Sequence, residues 1–532
     1  MKRLTVAEMF RTNVAEHTDE AMFRFRGETV TWAEHHRRAC QVAQAMRAEG
    51  VQVEDRVAFL DRNGIEYFEI LFGGALTGAV NVAVNWRLSP AEMAAIVDDA
   101  RAKVLVIHPE FLPCLASMTS GLPSVTRVVV LGDPNADADA GGASDVARRV
   151  AYADWLADRP QRDPGHEGEP SDVSMQLYTS GTTGLPKGVM LTHHNLATML
   201  EQAAGEAFEI TRDTVSLVAM PLFHIGGSGW ALCGMSRGGT SVILRDLDPA
   251  ELLRLIEAER VTHAFLVPAV LMVLLSTPGV TDADLSSLHT IYYGASPIGE
   301  DVLVRCLEVF TCEFAQVYGM TETTGAIVRL PYEDHDPAGP RRHLLRAAGM
   351  ALPGVDIKIL DPDTGAEVPP GMVGEVVTRS AFNMVGYWDK PEETARTIRD
   401  GWLRTGDAGY LDPDGYLFLH DRIKDLVVSG GENIYPAEVE NVLLGIPGVA
   451  DAAVIGVPDE RWGETVKAIV VKAPGTDVTS EEVIAFCREH LAHYKCPTSV
   501  DFTDLLPRNP SGKILKRQLR EPYWADQERR IH

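Results

Sequence analysis

The chain has 532 residues, of which 45% are hydrophobic and 23% are charged, and its formal net charge is −26. This length and apolar fraction allow a large buried core that is divided among more than one domain. The acidic balance argues against a general surface for nucleic acid or for an anionic membrane.

The cysteines and the apolar runs indicate the compartment. Seven cysteines are scattered along the chain without a Cys-x-x-Cys pair, so we expect free thiols in a reducing cytoplasm. Arg11 and Glu16 interrupt the start too early for the core of a signal peptide. No apolar run reaches the roughly 18 residues of a membrane-spanning helix, so we expect no transmembrane segment.

The first third of the chain predicts strands that alternate with helices. Residues 5–48 predict a helix, a short strand pair and a second helix. Further strands are expected at 56–60, 80–84 and 103–107, with helices at 67–77 and 91–99. This alternation favours a layered α/β fold with a mainly parallel sheet. Residues 133–170 are rich in Asp, Ala, Gly and Pro, which predicts a surface connection.

A Gly/Thr-rich stretch, YTSGTTGLPKG at 178–188, lies between two apolar β-like runs. Its glycines let the backbone approach an anion, and its hydroxyls, N–H groups and lysine suit a polyphosphate. The candidate residues are Thr179, Ser180, Gly181, Thr182, Thr183, Gly184 and Lys187. A surface hairpin of the same composition is the alternative, and the Walker A spacing is absent. The following His193 and His194 are expected at capping or surface positions rather than at a metal.

A strand at 215–221 leads into PLFHIGGSGW at 221–230. Small residues beside His224, Gly227 and Trp230 suit the wall of a cavity through which a ligand's chain passes. Packing of a helix through its glycines is the alternative.

Two further strands, at 262–267 and 288–293, precede the turn Tyr293–Pro297, which contains Gly294, Ala295 and Ser296. Another strand, with Gln316 and Tyr318, runs into Gly319, Met320, Thr321 and Glu322. A hydroxyl next to a carboxylate at the end of a strand can hold a phosphate and Mg²⁺ together.

The last third of the chain changes pattern twice. Residues 349–378 predict a small β-subdomain with Pro/Gly turns, and Asp407 follows in a Thr-Gly-Asp turn. After 421–425, strands at 426–429, 449–457 and 465–471 and helices at 436–444 and 480–491 predict a second, smaller α/β unit. Lys513 lies in a Pro/Gly-rich loop near the end.

Five motifs stand in one order: YTSGTTGLPKG, YGMTE at 318–322, TGD at 405–407, DRIKD at 421–425, and the segment from Pro507 to Lys513. Together they resemble the adenylate-forming superfamily, which includes acyl-CoA synthetases, nonribosomal adenylation domains and luciferases. The resemblance implies an N-terminal domain at 1–422, with two layered α/β subdomains and a small β-subdomain, and a mobile α/β lid at 423–532.

The resemblance also implies a role for each matching residue. Catalytic roles go to Lys187, His224, Thr321, Glu322 and Lys513, and Thr179 and Glu322 would bind Mg²⁺. ATP would contact the 179–187 loop residues and Gly294, Ala295, Ser296, Gln316, Tyr318, Gly319, Thr321, Asp407, Arg422, Lys424 and Lys513. The acyl pocket would contain His224, Gly227, Trp230, Gly294, Gly319 and Met320. CoA would contact Gly430, Gly431, Trp462, Tyr494 and Lys495, although Cys496 stands where a further basic residue is expected.

The implied activity is an ATP-dependent acid–CoA ligase that forms acyl-AMP and pyrophosphate and then acyl-CoA and AMP. His224 replaces the Asp with which amino-acid adenylation domains hold an ammonium, which favours a fatty acid or another bulky apolar acid. Loading of a carrier protein, a luciferase-like oxygenase and a non-catalytic acyl or nucleotide sensor are the alternatives. A homodimer is compatible with the resemblance, and no nucleic-acid partner is expected.

Overall fold

The computed structural model describes residues 5–118, 122–134, 149–179, 186–422, 425–429, 432–459, 461–508 and 514–524. Its strands are β1 Ala21–Phe25, β2 Glu28–Thr31, β3 Arg56–Leu60, β4 Val80–Ala83, β5 Val104–Ile107, β6 Arg127–Val130, β7 Arg149–Ala151, β8 Val173–Thr179, β9 Lys187–Thr192, β10 Val215–Val218, β11 Thr240–Ile243, β12 His263–Leu266, β13 Thr290–Gly294, β14 Glu313–Met320, β15 Gly325–Leu330, β16 Met350–Ala351, β17 Val355–Leu360, β18 Gly374–Ser380, β19 Gly386–Tyr387, β20 Ile398–Arg399, β21 Trp402–Leu411, β22 Leu417–Arg422, β23 Val427–Ser429, β24 Glu432–Ile434, β25 Val449–Asp459, β26 Gly463–Lys472 and β27 Ser499–Phe502.

The α-helices are α1 Val6–Glu16, α2 Trp32–Ala48, α3 Ile65–Ala75, α4 Pro90–Asp99, α5 Leu112–Met118, α6 Tyr152–Leu156, α7 His193–Glu206, α8 Ile225–Met235, α9 Pro249–Ala258, α10 Pro268–Leu275, α11 Glu300–Phe310, α12 Pro391–Thr397, α13 Pro436–Leu444, α14 Ser480–His490 and α15 Lys516–Trp524. Short 3₁₀ turns lie at Pro109–Phe111, Thr321–Thr323, Tyr332–Asp334, Arg342–Arg346 and His493–Lys495.

Two mainly parallel sheets form the larger part of the fold and confirm the predicted α/β class. The first sheet runs β19–β9–β8–β4–β3–β5–β6–β7, and the second runs β16–β15–β14–β13–β12–β10–β11–β1–β2. In the first sheet the strands from β8 to β7 are parallel, and in the second the neighbours from β1 to β14 are parallel. Parallel strands end at the same edge of a sheet, and loops at that edge commonly bind ligands.

Local sequence signals start several of the connecting helices. The Thr31 side chain accepts from the Glu34 N–H while the Glu34 carboxylate accepts from the Thr31 N–H, which caps α2. Ser89 with Glu92 and Thr479 with Glu482 form the same reciprocal cap on α4 and α14. Each cap satisfies N–H groups that a helix start otherwise leaves without a partner.

Two smaller sheets follow in the chain. The third sheet runs β17–β18–β21–β20 with β22 beside β21, and it corresponds to the predicted β-subdomain. The fourth sheet runs β24–β23–β26–β25 with β27 beside β26, and α13 packs on β25. The rings of His420 and Tyr435, with centroids 4.9 Å apart, connect this unit to the third sheet. The boundary at 422/423 stays a prediction.

One local prediction was wrong in part. Residues 133–170 are not entirely a surface connection, because β7 is the edge strand of the first sheet and Tyr152 and Trp155 of α6 are buried. The two histidines agree with the expected capping or surface positions. His194 is exposed, and His193, which is 2% exposed, accepts through its Nδ1 from the Val6 N–H at the start of α1 at 3.3 Å.

All seven cysteines lie in the described ranges, and no disulfide joins them. Within those ranges no helix has the length and apolar character needed to cross a bilayer.

Candidate functional site

The phosphate-loop candidate connects two antiparallel strands of the first sheet. Thr179, at the end of β8, pairs with Lys187, at the start of β9. The intervening residues Ser180, Gly181, Thr182, Thr183 and Gly184 lie outside the described residues. Both ends of the loop therefore lie at the carboxyl end of β8.

Lys187 is buried and has an acidic partner that the sequence did not indicate. Its Nζ donates to Oε2 of Glu393 at 2.5 Å, and it lies 5.2 Å from the centre of the Tyr387 ring. The hydrogen bond from Lys187 is the main cause that lowers the pKa of the Glu393 carboxyl. The amino group of Lys187 therefore lies between a carboxylate and an aromatic face.

Glu322 is 6% exposed and lies in the 3₁₀ turn Thr321–Thr323, directly after β14. Tyr387 donates its hydroxyl to Oε1 of Glu322 at 2.9 Å. Burial first, and then the charge of Glu322, raise the pKa of the Tyr387 hydroxyl. Because the Tyr387 ring also faces Lys187, this tyrosine brings the predicted phosphate lysine and the predicted Mg²⁺ carboxylate into one cluster.

A second contact also involves β14, and it joins the second sheet to the third. The Tyr318 hydroxyl donates to Oδ2 of Asp407 at 2.7 Å, and the Asp407 N–H donates to the Thr405 hydroxyl at 3.0 Å. Arg422 is the register partner of Asp407 across β21 and β22. The side chain of Arg422 and the whole of Lys424 and Lys513 lie outside the described residues.

The turn after β13 meets the site at the carboxyl edge of the second sheet. A Cβ on Gly294 would lie 2.1 Å from the Val317 carbonyl oxygen, so the strands approach too closely for a side chain. Ala295 has a φ of 65°, a left-handed conformation that is unfavourable for a residue with a Cβ. The Tyr293 hydroxyl donates to Oε1 of Gln316 on the next strand at 3.2 Å, and the half-buried Ser296 follows Ala295 in the turn.

The candidate acyl-pocket residues surround the start of α8. His224 precedes this helix, and its ring lies 4.5 Å from that of Phe223. Trp230 is buried against Phe265 and Tyr292, and its Nε1 donates to the Leu217 carbonyl at 3.0 Å. Trp230 thus fixes α8 on β10, whatever else it contacts.

Two glycines of this group have a packing reason of their own. A Cβ on Gly227 would lie 2.1 Å from the Pro221 carbonyl oxygen, and one on Gly319 would lie 1.9 Å from that of Gly325. Both positions therefore require glycine for close backbone approach. The half-buried Met320 follows Gly319, and its N–H donates to the Thr323 hydroxyl at 3.0 Å.

The CoA candidates lie in the smaller unit. Trp462 and Tyr494 are each 47% exposed, and the guanidinium of Arg461 lies 4.5 Å from the centre of the Trp462 ring. Lys495 donates to both carboxylate oxygens of Glu438 at 2.7 Å, so a phosphate would compete with this glutamate. Gly430 and Gly431 lie outside the described residues.

Tyr387, Glu393 and Arg461 were not predicted from the sequence. β19 has only the two residues Gly386–Tyr387, too few for a period-2 pattern, and Glu393 resembles an ordinary acidic residue in the first turn of a helix. Arg461 next to the exposed Trp462 was visible as a basic residue beside an aromatic one.

The comparisons with known proteins agree with this geometry. Residues 10–388 match the model of the AMP-binding enzyme family, and residues 438–513 match that of the AMP-binding enzyme C-terminal domain. The fatty acid–acyl-carrier-protein ligase ScoC of Streptomyces coeruleorubidus is 43% identical over 95% of this chain and 94% of its own. A feruloyl-CoA synthase of an Amycolatopsis species is 40% identical, over 94% of this chain and 95% of its own.

The fold has solved counterparts. The crystal structure of ATP-bound MatB from Rhodopseudomonas palustris superposes with a TM-score of 0.87 at 31% identity, and it covers 98% of this chain and 99% of its own. The two family models, the two relatives and the solved structure agree over most of the chain. The protein therefore belongs to the AMP-binding enzyme family, the adenylate-forming superfamily, and is a ligase of the acyl-CoA synthetase type.

Proposed function

We propose that the protein joins an apolar carboxylic acid to ATP, releases pyrophosphate, and then transfers the acyl group from AMP to the thiol of CoA. The observation that carries this proposal is the convergence on β14: Tyr318 binds Asp407, and four residues later Glu322 joins the cluster of Lys187 through Tyr387. Lys187, proposed for the phosphates, and Asp407, proposed for the ribose, are thereby both linked to the end of β14.

The first step needs electrostatic help more than proton transfer. A carboxylic acid is ionised at neutral pH, so no general base is required for its attack on the α-phosphorus. The repulsion between two anions must be reduced, and charge must be stabilised as it develops. We assign Lys187 and the loop backbone to the β- and γ-phosphates, Thr321 and Lys513 to the α-phosphate, and Asp407 and Arg422 to ribose.

Glu322 fits a Mg²⁺ ligand by its chemistry. It is a buried carboxylate whose Oε1 accepts from Tyr387, and the turn that carries it packs against β9, next to Lys187. Mg²⁺ prefers oxygen ligands and commonly takes one or two carboxylates beside substrate phosphates. Bound there with the Thr179 hydroxyl, Mg²⁺ would neutralise phosphate charge, while Tyr387 keeps the carboxylate oriented.

The second step requires the smaller unit to present another surface to the same site. Lys513 would withdraw and Gly431 would line the path of the thiol, with Trp462 and Tyr494 as contacts for the CoA nucleotide. Rotation of a domain about a hinge is a common way to present two surfaces in turn.

A carrier protein is the second candidate acceptor. The similarity to a relative named as an acyl-carrier-protein ligase favours it, as does the engagement of Lys495 by Glu438, which leaves one cation fewer for CoA phosphates. A carrier protein delivers a tethered thiol and does not need those phosphate contacts.

The acid is proposed to be a medium- or long-chain fatty acid or a bulky cyclic or aromatic acid. His224 offers no carboxylate to pair with an ammonium, as an Asp would, and the surrounding side chains Phe223, Trp230 and Phe265 are apolar. We further propose that the enzyme works in a reducing cytoplasm. We also propose that it forms a homodimer, and the molar mass measured by light scattering would test this.

A panel of carboxylic acids tests the proposal directly. Pyrophosphate release from ATP is measured with each acid alone, with CoA, and with a phosphopantetheinylated carrier protein. Release with an apolar acid and formation of an acyl-CoA supports the main proposal. Thioester formed only on the carrier protein supports the second candidate. Pyrophosphate release without thioester formation on either acceptor, with every acid of the panel, contradicts both.

A further inference from the structure

The carboxylate of Glu393 is shared between two basic residues, Lys187 and Arg396. Glu393 Oε2 accepts from Lys187 of β9, and Glu393 Oε1 accepts from Arg396 at 3.0 Å, one turn along α12. Lys187 is mostly buried, with 11% of its side chain exposed, whereas Arg396 is 67% exposed. The two contacts therefore differ: one reaches into the site, and the other remains at the surface.

The position of α12 is fixed by bonds that do not involve Glu393. The Tyr387 N–H donates to the Thr394 hydroxyl at 2.9 Å, and the Trp388 indole N–H donates to the Asp99 carbonyl at 2.8 Å. Lys390 also pairs with the Asp99 carboxylate at 3.1 Å. Loss of the contact with Lys187 would therefore leave the helix in place, and the Glu393 carboxylate would keep Arg396 as a partner.

A polyphosphate at Lys187 would meet the Glu393 carboxylate at the same ammonium. Two anions within a few ångströms of each other repel, and the repulsion is stronger in a partly buried site than in water. We propose that Glu393 is a displaceable counter-ion of Lys187, which phosphate oxygens of ATP replace and which returns to the ammonium as pyrophosphate leaves. This inference rests on the phosphate-binding role proposed above for Lys187.

The consequence is opposite to that of a structural ion pair. A glutamate that only stabilises the site would weaken nucleotide binding when it is removed. A competing glutamate lowers the affinity for pyrophosphate, so its removal tightens the binding of pyrophosphate and slows its release. Glu393 is a positioning residue in this account, since it acts on phosphate only through Lys187.

Calorimetric titration of the full-length protein with magnesium pyrophosphate separates these two roles. We expect Glu393→Gln to bind pyrophosphate about two- to fivefold more tightly than the wild type, within the range that one partly exposed ion pair produces. Glu393→Asp keeps the charge and is expected to move the affinity back toward that of the wild type. Glu392→Gln is the matched control, because Glu392 is 86% exposed and lies 3.9 Å from Arg396, and it should bind pyrophosphate like the wild type.

The double variant provides the sharpest comparison. In a Lys187→Met background, Glu393→Gln should leave the pyrophosphate affinity unchanged, because the ammonium for which both anions compete is gone. Equal or weaker binding by the single Glu393→Gln variant would overturn the inference, and so would the same tightening in the Lys187→Met background.

The titration contains neither an acid nor a thiol. A wild type that binds pyrophosphate but forms no thioester with any acid would therefore contradict the proposed reaction and leave the counter-ion to be decided by its own variants. A wild type that does not bind magnesium pyrophosphate at millimolar concentration would overturn the inference together with the phosphate role of Lys187.

Discussion

The hydroxyl of Tyr387 donates a hydrogen bond of 2.9 Å to Oε1 of Glu322, and this bond joins the edge strand β19 to the turn that follows β14. β19 belongs to the first sheet and β14 to the second. The bond therefore connects the two sheets at the point where both present their predicted phosphate and metal ligands.

Tyr387→Phe removes this bond and leaves the ring against Lys187. A hydrogen bond to a charged group contributes about 1.5–3 kcal/mol, so we expect pyrophosphate release to slow by about 10- to 100-fold, with a higher requirement for Mg²⁺. Rates measured across a Mg²⁺ titration check both effects. Tyr410→Phe is the control, since Tyr410 stacks on Phe418 in the third sheet, with ring centroids 5.0 Å apart. A folded Tyr387→Phe variant with the Mg²⁺ response of the wild type would contradict the role of this hydroxyl.

Asp407→Asn tests the proposed ribose contact. The amide keeps the shape of the side chain but removes its negative charge. The hydrogen bonds that the carboxylate accepts from Tyr318 and from a ribose hydroxyl are therefore weakened, and we expect the KM for ATP to rise by about 10-fold or more. The preference for ATP over 2′- and 3′-deoxy-ATP should shrink at the same time. Asp356→Asn changes an exposed carboxylate paired with Arg379 and should alter neither quantity. A rise in KM with an unchanged preference for the ribose hydroxyls would place Asp407 elsewhere in the mechanism.

Lys513→Ala should separate the two half-reactions. Loss of the lysine proposed at the α-phosphate should abolish formation of acyl-AMP, while conversion of supplied acyl-AMP to acyl-CoA continues, because the second step proceeds after this lysine has withdrawn. Both steps are followed by chromatography of AMP and the thioester. Lys516→Ala, which removes a lysine paired with Glu440, is the control for the same segment.

Gly431→Leu should give the opposite result. A side chain in the path of the thiol should block formation of the thioester and spare pyrophosphate release. If Lys513→Ala lost both half-reactions alike, or if Gly431→Leu formed thioester at the normal rate, the lid would not work by two separate surfaces.

His35 should make the stability depend on pH. It packs among Phe10, Phe23 and Phe72, and burial lowers its pKa to about 3. The folded state therefore keeps His35 neutral while the unfolded state takes up a proton below its ordinary pKa of about 6.5, so stability is full above that pH and falls below it by about 1.4 kcal/mol per pH unit. In urea unfolding at pH 7.5 and 5.5, His35→Gln should lose less stability between the two pH values than the wild type does. The exposed His343→Gln should behave like the wild type, and an equal loss in all three proteins would show that His35 does not contribute.

The sequence alone determined the helix starts, the α/β class and the family of this protein, because local signals and the order of the motifs suffice for these features. The capping pairs Thr31/Glu34 and Ser89/Glu92 specify where helices begin, and alternating apolar runs specify the parallel α/β class, which the structure and the comparisons confirm. The five ordered motifs are also sufficient to indicate the family, which the comparisons confirm.

Only the tertiary structure decided which side chains meet. The pairs Lys187–Glu393 and Tyr387–Glu322 join residues 206 and 65 positions apart, and no local periodicity encodes either of them. Tyr152 and Trp155 lie in a stretch that its Asp, Ala, Gly and Pro content predicted to be a surface connection, yet both side chains are buried in the assembled fold. Burial and hydrogen bonding depend on the three-dimensional neighbours of a residue, and these neighbours exist only once the sheets have assembled.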